Sequence, residues 1–222
     1  VFKDSPISKT NIQAGDILTK INNAPIDNYG LINSSFTSGD KVAYTGVFDD
    51  IEMGSQIKRV MPNSLVALMG THPSSLPEET LDINKDIDCI IVGEADRTAR
   101  ELADKIDEIR NDYNRVMLKI DGIVFRDKHS NIVKNDDRQM NQDLDSIPFV
   151  SQIYDKYLNI ENYFFAACDY PEVQIMTSRG CVARCTYCVY PYAMHGLKYR
   201  TRSPENIADE FAWIKENLPN VR

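Results

Sequence analysis

The chain has 222 residues, 42% of them hydrophobic, 9% aromatic and 26% charged, which is enough apolar material for a sizeable core and excludes wholesale disorder. Thirty-three acidic against 25 basic residues leave a net charge of −8, which repels a phosphate backbone and makes nucleic acid a poor default partner. Apolar runs such as Val66 to Met69 and Cys89 to Val92 fall far short of the ~20 residues of a membrane span. The length corresponds to roughly one and a half average domains. Together with an opening at Val1 that has no methionine, basic start or secretory leader, this leads us to expect a piece of a longer polypeptide.

In chain order, Lys41 to Gly46 reads as a buried strand and Met53 to Val60 as the helix after it, broken at Pro62-Asn63. Ser64 to Met69 forms a second expected strand ending at Gly70, and Pro77 to Leu81 a short helix with proline in its first turn. Asp88 to Val92 is the third strand, ending at Gly93, and Thr98 to Ile109 carries Leu102, Ile106 and Ile109 on one helical face. Strand and helix alternating at this spacing predict a parallel sheet with crossover helices. Ligands of such sheets lie at the carboxyl ends of the strands, here Thr45-Gly46, Gly70-Thr71-His72 and Gly93-Glu94. Met117 to Val133 suits a hairpin, and the polar stretch Asn135 to Asp145 a surface connection. Beyond it come an expected strand, Val173 to Met176, a cysteine-rich loop, and a helix from Pro204 to Asn217. Ser203 is the expected cap of that helix, and Ile207, Phe211, Ile214 and Leu218 its buried stripe.

The first forty residues read in two ways. Ser5 to Asn22 with Ala24-Pro25-Ile26, and within it Ala14-Gly-Asp-Ile-Leu18 turning into a strand, resembles the central part of a PDZ domain, a match under a fifth of the chain long. Alternatively these residues open the α/β domain. The expected organisation is therefore residues 1–40 as PDZ-like segment or domain start, 41–112 as the α/β domain, 113–170 as hairpin and connection, and 171–222 as the start of a second domain.

Three of the five cysteines, Cys181, Cys185 and Cys188, crowd into eight positions, while Cys89 and Cys168 stand alone. This is no disulfide framework; it reads as a metal site in a reducing compartment, and the cytoplasm is the expected location. Cys89 inside an apolar strand and Cys168 after Phe164-Phe-Ala-Ala167 read as core residues. Three thiolates spaced by four and three can hold one corner of an iron–sulfur cube and leave the fourth iron open. A zinc knuckle of Cys185 and Cys188 with His195 or Cys181 is the alternative.

The segment Thr177-Ser-Arg-Gly-Cys181-Val-Ala-Arg-Cys185-Thr-Tyr-Cys188-Val-Tyr-Pro191 resembles the radical S-adenosylmethionine (radical SAM) superfamily, whose motif is Cys-x-x-x-Cys-x-aromatic-Cys, with Tyr187 as the aromatic residue. The resemblance implies that Cys181, Cys185 and Cys188 hold a 4Fe-4S cluster, that S-adenosylmethionine binds its open iron, that Tyr187 lies beside that cofactor, and that a reductant such as flavodoxin or ferredoxin supplies electrons.

A second resemblance runs through Gly70-Thr-His-Pro-Ser-Ser-Leu-Pro-Glu-Glu-Thr-Leu81 and Ile87-Asp-Cys-Ile-Ile-Val-Gly-Glu94, with Thr98 and Leu102, to the cobalamin-binding domain that precedes the radical domain in one large subfamily. The linking stretches Ile120 to Arg126 and Asp143 to Phe149 resemble the junction of the two domains, so the likeness spans about Lys41 to Pro219. It implies a Rossmann-like, cobalamin-binding α/β domain followed by the first strand and helix of a truncated, TIM-like β/α barrel. Thr45, Gly46, Gly70, Thr71, His72, Gly93 and Glu94 would face the corrin or its tail. The Asp-x-His-x-x-Gly signature that supplies an axial histidine in many cobalamin proteins is absent, and His72 reads equally as a strand-end cap. A β/α barrel needs roughly 200 residues, so the chain is expected to hold only its beginning and to be inactive alone. The implied parent enzyme methylates or otherwise remodels a small molecule or lipid. The alternatives are a radical SAM enzyme without cobalamin and a PDZ-like scaffold with a structural zinc. A methylthiotransferase is disfavoured, because it would bring three further cysteines upstream.

Overall fold

The computed structural model describes residues 20–21, 24–25, 44–45, 49–163 and 169–221, with backbone alone up to residue 53. Two compact units are distinguished: the described residues between 20 and 141 with Gly180–Lys198, and those between 142 and 179 with 199–221.

In the first unit, β1 (Lys20–Ile21) and β2 (Ala24–Pro25) form a two-residue antiparallel ladder. These are the only described residues of the PDZ-like segment, the rest of which lies outside the described residues. A five-stranded sheet follows in the order β3 (Tyr44–Thr45), β4 (Ala67–Met69), β5 (Cys89–Ile91), β6 (Ile123–Arg126), β7 (Ile132–Lys134). β3, β4 and β5 are neighbouring parallel strands, in register Tyr44↔Leu68 and Leu68↔Ile90, as their spacing predicts. β6 and β7 form the expected hairpin, but it joins the same sheet: β6 runs antiparallel to β5 with Ile90 opposite Val124. The sheet is therefore mixed. Met117, expected in the hairpin, instead ends a short helix.

Side-chain alternation explains why the central strands are apolar throughout. Cys89, Ile91, Ile123 and Phe125 point to one face, packed with Leu102, Ile109, Val116 and Met117. Ile90 and Val124 point to the other, with Ile57, Val66, Leu68, Leu81 and Ile87. The helices on the first face are α4 (Asp96–Asp104), α5 (Ile106–Asn111) and α6 (Tyr113–Met117). Those on the second are α1 (Asp49–Val60) and α3 (Pro77–Ile83), and α2 (Thr71–Ser75) lies between β4 and α3 in sequence. Burial of one such large apolar side chain is worth about 1.5–3 kcal/mol. The single helix expected from Thr98 to Ile109 is divided at Lys105, yet Leu102 and Ile109 both reach the core.

The second unit contains α7 (Val150–Tyr157), the short antiparallel pair β8 (Ser178–Arg179) with β9 (Arg200–Thr201), and α8 (Pro204–Asn217). Ser203 caps α8 by accepting a hydrogen bond from Asn206 N, as predicted. The expected strand Val173–Met176 does not form; among the described residues only Ser178 and Arg179 pair, because a strand persists only where a neighbour satisfies its backbone groups. Of the predicted stripe on α8, Ile214 is buried as expected, but Phe211 is 57% exposed while its neighbour Glu210 is fully buried. The inward face is taken by an ion pair of Arg202 with Glu210, whose Oε1 accepts from Ser151 N and Oγ at 3.2 and 3.1 Å. Among the described residues no helix is long and apolar enough to cross a membrane.

Candidate functional site

The carboxyl ends of β3, β4 and β5 lie side by side, since Thr45 is opposite Met69 and Met69 opposite Ile91. Of the residues predicted there, Thr45 ends β3 and Gly46 lies outside the described residues. Gly70 follows β4 with φ +122°, and Thr71 and His72 open α2, whose Leu76 N donates to the His72 carbonyl at 3.0 Å. Gly93, at φ +75°, and Glu94 follow β5. The positive φ suits glycine, because a Cβ at that angle is strained.

Ser74, one turn into α2, ties these ends together: its Oγ accepts from Gly93 N at 3.0 Å and donates to the Ile91 carbonyl at 3.4 Å. Its Oγ also lies 3.7 Å from the Met194 sulfur. Sequence reasoning missed Ser74, since one serine in a Pro-Ser-Ser loop carries no signal of a buried partner.

The cysteine segment is a closed loop within the same unit. At its base a Cβ on Gly180, φ +85°, would sit 2.1 Å from the Lys198 carbonyl oxygen, so only glycine allows the two strands of the loop to approach. Cys181 N then donates to Gly196 O at 3.1 Å and completes the closure. Arg184 takes a left-handed φ of +51° just before Cys185, and Cys188 N donates to Cys185 O at 3.1 Å, forming a tight turn between the second and third cysteines. All three thiols are free; Cys181 is exposed and the other two are half-buried. Tyr187 between them is 89% exposed. Among the described residues no three His, Cys, Asp or Glu side chains are gathered at metal-binding separations. This holds for the zinc set with His195 as much as for the three cysteines. The donor chemistry nevertheless suits iron and sulfide, which thiolates ligate.

Cys89, by contrast, is wholly buried in β5, and burial, with Asp88 beside it, pushes its thiol well above the ordinary range. It is a core residue, as expected. Cys168 lies outside the described residues.

The loop is anchored to the sheet edge by its return half, a π-helical turn from Pro191 to His195. Pro191 and Met194 are buried, and the Ala193 and Met194 carbonyls lie 4.0 and 3.6 Å from where a Cβ on Gly93 would stand. His195 Nδ1 is 3.0 Å from Glu94 Oε1, with the two side chains 16% and 7% exposed. The second carboxylate oxygen, Oε2, accepts from Asn141 N at 3.1 Å. Tyr190 meets the His195 ring edge-on, centroids 5.3 Å apart. The sequence marks Glu94 and His195 separately; nothing in it joins residues 101 positions apart.

No family model matches the chain. Among curated proteins it is 28% identical over 169 residues to an uncharacterized methyltransferase of Pyrococcus horikoshii, covering 76% of this chain and 34% of that protein. It is 25% identical over 184 residues to cytidylyl-2-hydroxyethylphosphonate methyltransferase of Streptomyces wedmorensis, covering 71% of this chain and 33% of the relative. The chain thus spans about a third of the length of the curated relatives it matches. Among solved structures, the radical S-adenosylmethionine methyltransferase TsrM from Kitasatospora setae, with tryptophan substrate and a SAM analogue bound, matches with TM-score 0.51 and 18% identity over 76% of this chain and 30% of its own. The cobalamin-dependent S-adenosylmethionine radical enzyme OxsB, with aqua-cobalamin and S-adenosylmethionine bound, matches with TM-score 0.50 and 19% identity over 78% of this chain and 21% of its own. At such identities the likeness is one of fold.

Proposed function

We propose that this chain is part of a cobalamin-dependent radical SAM enzyme that methylates a small molecule. The observation that carries the reading is the Cys181-x-x-x-Cys185-x-x-Cys188 loop, closed at Gly180 and seated on the carboxyl edge of the parallel strands, within one compact unit. The methyltransferase relatives and the fold likeness to TsrM and OxsB support it independently.

In this reading Cys181, Cys185 and Cys188 are the protein ligands of a 4Fe-4S cluster. When bound, that cluster supplies an open iron for the amino and carboxylate groups of S-adenosylmethionine and the electron for its reductive cleavage. Tyr187, exposed between two of the ligands, would flank the nucleoside. The strand-end residues Thr45, Gly46, Gly70, Thr71, His72, Gly93 and Glu94 form the edge toward which a cobalamin would be held. In this reading an electron-donating partner protein completes the system, and the β/α barrel that begins in the second unit carries the remaining contacts.

Anaerobic loading of the chain with ferrous iron and sulfide tests the metal assignment. About four irons with matching acid-labile sulfide per chain is the expected result. Retention of zinc with no sulfide would overturn it in favour of a structural knuckle.

A further inference from the structure

The pairing of two side chains in the sheet unit, Glu94 with His195, has no part in the reading above. Glu94 stands at the end of β5, three residues beyond Ile91, and His195 at the end of the turn that returns from the cysteine loop. Both side chains are nearly excluded from water, and the His195 Nδ1 to Glu94 Oε1 separation of 3.0 Å is that of a hydrogen bond. An ionised carboxylate only accepts, so Nδ1 carries the proton and donates. The other carboxylate oxygen accepts from Asn141 N, which helps to orient the acceptor. On the far side His195 packs against Tyr190, two residues after Cys188. Contacts thus run from the strand end, through the imidazole, to Tyr190, two residues along the chain from the last cysteine.

The geometry points to Glu94 and His195 as a latch that fixes the return half of the cysteine loop on the sheet edge, and so sets where Cys188 stands relative to the strand ends. They are positioning residues. The extension to an iron–sulfur cluster rests on the function proposed above; the latch itself rests only on contacts within this chain. Three neighbouring features belong to the same anchorage. The Met194 sulfur lies against Ser74 Oγ, the Met194 carbonyl lies over Gly93, and a Cβ on Gly196 would meet the Met140 sulfur at 2.7 Å. Those contacts are short-range packing, whereas the Glu94–His195 bond is directional, and removing either partner costs the other that hydrogen bond.

Amide hydrogen exchange of the metal-free chain tests the latch. In Glu94→Ala and in His195→Ala the amides of Cys181, Tyr192 and Ala193, whose acceptors lie within the loop, should exchange about tenfold faster, the population change that one hydrogen bond to a charged group confers. The amides of Ile90 and Val124 in the sheet core should stay protected. His195→Asn keeps an N–H near the Nδ1 position and should restore loop protection, whereas Glu94→Gln keeps one accepting oxygen for two donors, His195 Nδ1 and Asn141 N, and should restore it only in part. After loading with iron and sulfide, the alanine variants should release iron to a chelator about tenfold faster than the parent, and His195→Asn at the parent rate. Loop exchange unchanged in both alanine variants, or faster exchange spread equally through the sheet core, overturns the latch. Loop exchange that responds as expected in a chain that takes up no iron and sulfide supports the latch and refutes the cluster reading instead.

Discussion

Replacing Glu210 by alanine should remove a large share of the stability of the unit that carries α8. Glu210 is fully buried and the Arg202 side chain is 4% exposed. Besides Glu210, the guanidinium donates only to neutral acceptors: Asn206 Oδ1 at 2.6 Å, Asn206 O at 3.1 Å and Met176 O at 3.0 Å. Its face lies over the Phe149 ring, 5.4 Å from the centroid. Glu210→Ala would leave that cation buried without its ion-pair partner, with the Asp145 carboxylate acting on it only at longer range, and strip Ser151 N and Oγ of their acceptor. Breaking a buried pair from one side costs about 3–5 kcal/mol, against a total of about 5–15 kcal/mol for a domain. With a urea slope of about 1.5 kcal/mol per molar, the midpoint falls by about 2–3 M. Trp213, the chain's single tryptophan, lies on the same helix and reports the transition by fluorescence. The double variant Arg202→Met with Glu210→Leu removes both charges and should recover most of the loss. A midpoint shift below about 0.5 M for Glu210→Ala, or a double variant no more stable than the single one, would refute the account of this pair.

Gly180→Ala forces a Cβ against the Lys198 carbonyl at a φ of +85°, a strain of about 1–3 kcal/mol; faster hydrogen exchange confined to residues 181–197 is expected, and an unchanged loop would count against the closure. Iodoacetamide on the native chain should label Cys181, Cys185 and Cys188 and spare Cys89, whose buried thiol stays protonated; peptide mass spectrometry showing Cys89 labelled at a comparable rate would contradict that. For Glu101, burial pushes the carboxyl upward, but hydrogen bonds from Lys105 and Arg138 outweigh it and hold the group below its ordinary 4.5. A depressed carboxylate stabilises the fold above its unfolded pKa and loses that contribution as the pH falls through the folded value. Glu101→Gln should therefore flatten the stability profile below about pH 4.5, and an acid limb identical to the parent's would remove this ion pair from the account.

The parallel strands were legible because their chemistry is local. Leu65 to Met69 and Cys89 to Val92 are short apolar runs, each stopped by a glycine whose φ is positive in the structure. The hairpin of β6 and β7 was equally plain. That it extends the same sheet was not, because antiparallel addition to β5 depends on which strand edge is free, a property of the assembled sheet rather than of residues 123–134. On α8 the apolar spacing found Ile214 but also pointed to Phe211, where Glu210 is buried instead: a pattern of hydrophobicity cannot anticipate an inward-facing acid whose partner, Arg202, precedes the helix. At the candidate site the strand-end glycines and the cysteine spacing could be read directly. Ser74 and the joining of Glu94 to His195 could not, since both depend on contacts between distant segments.

The most direct measurement of the central claim is the iron and acid-labile sulfide content of anaerobically loaded cysteine variants. Cys89→Ala should load like the parent, because that thiol is part of the sheet core. Cys185→Ala should hold no stable cluster, and the triple replacement of Cys181, Cys185 and Cys188 should hold no iron and sulfide at all. Retention of a full cluster by the triple variant would contradict the assignment of these three residues, and with it the reading of the chain as part of a radical SAM enzyme.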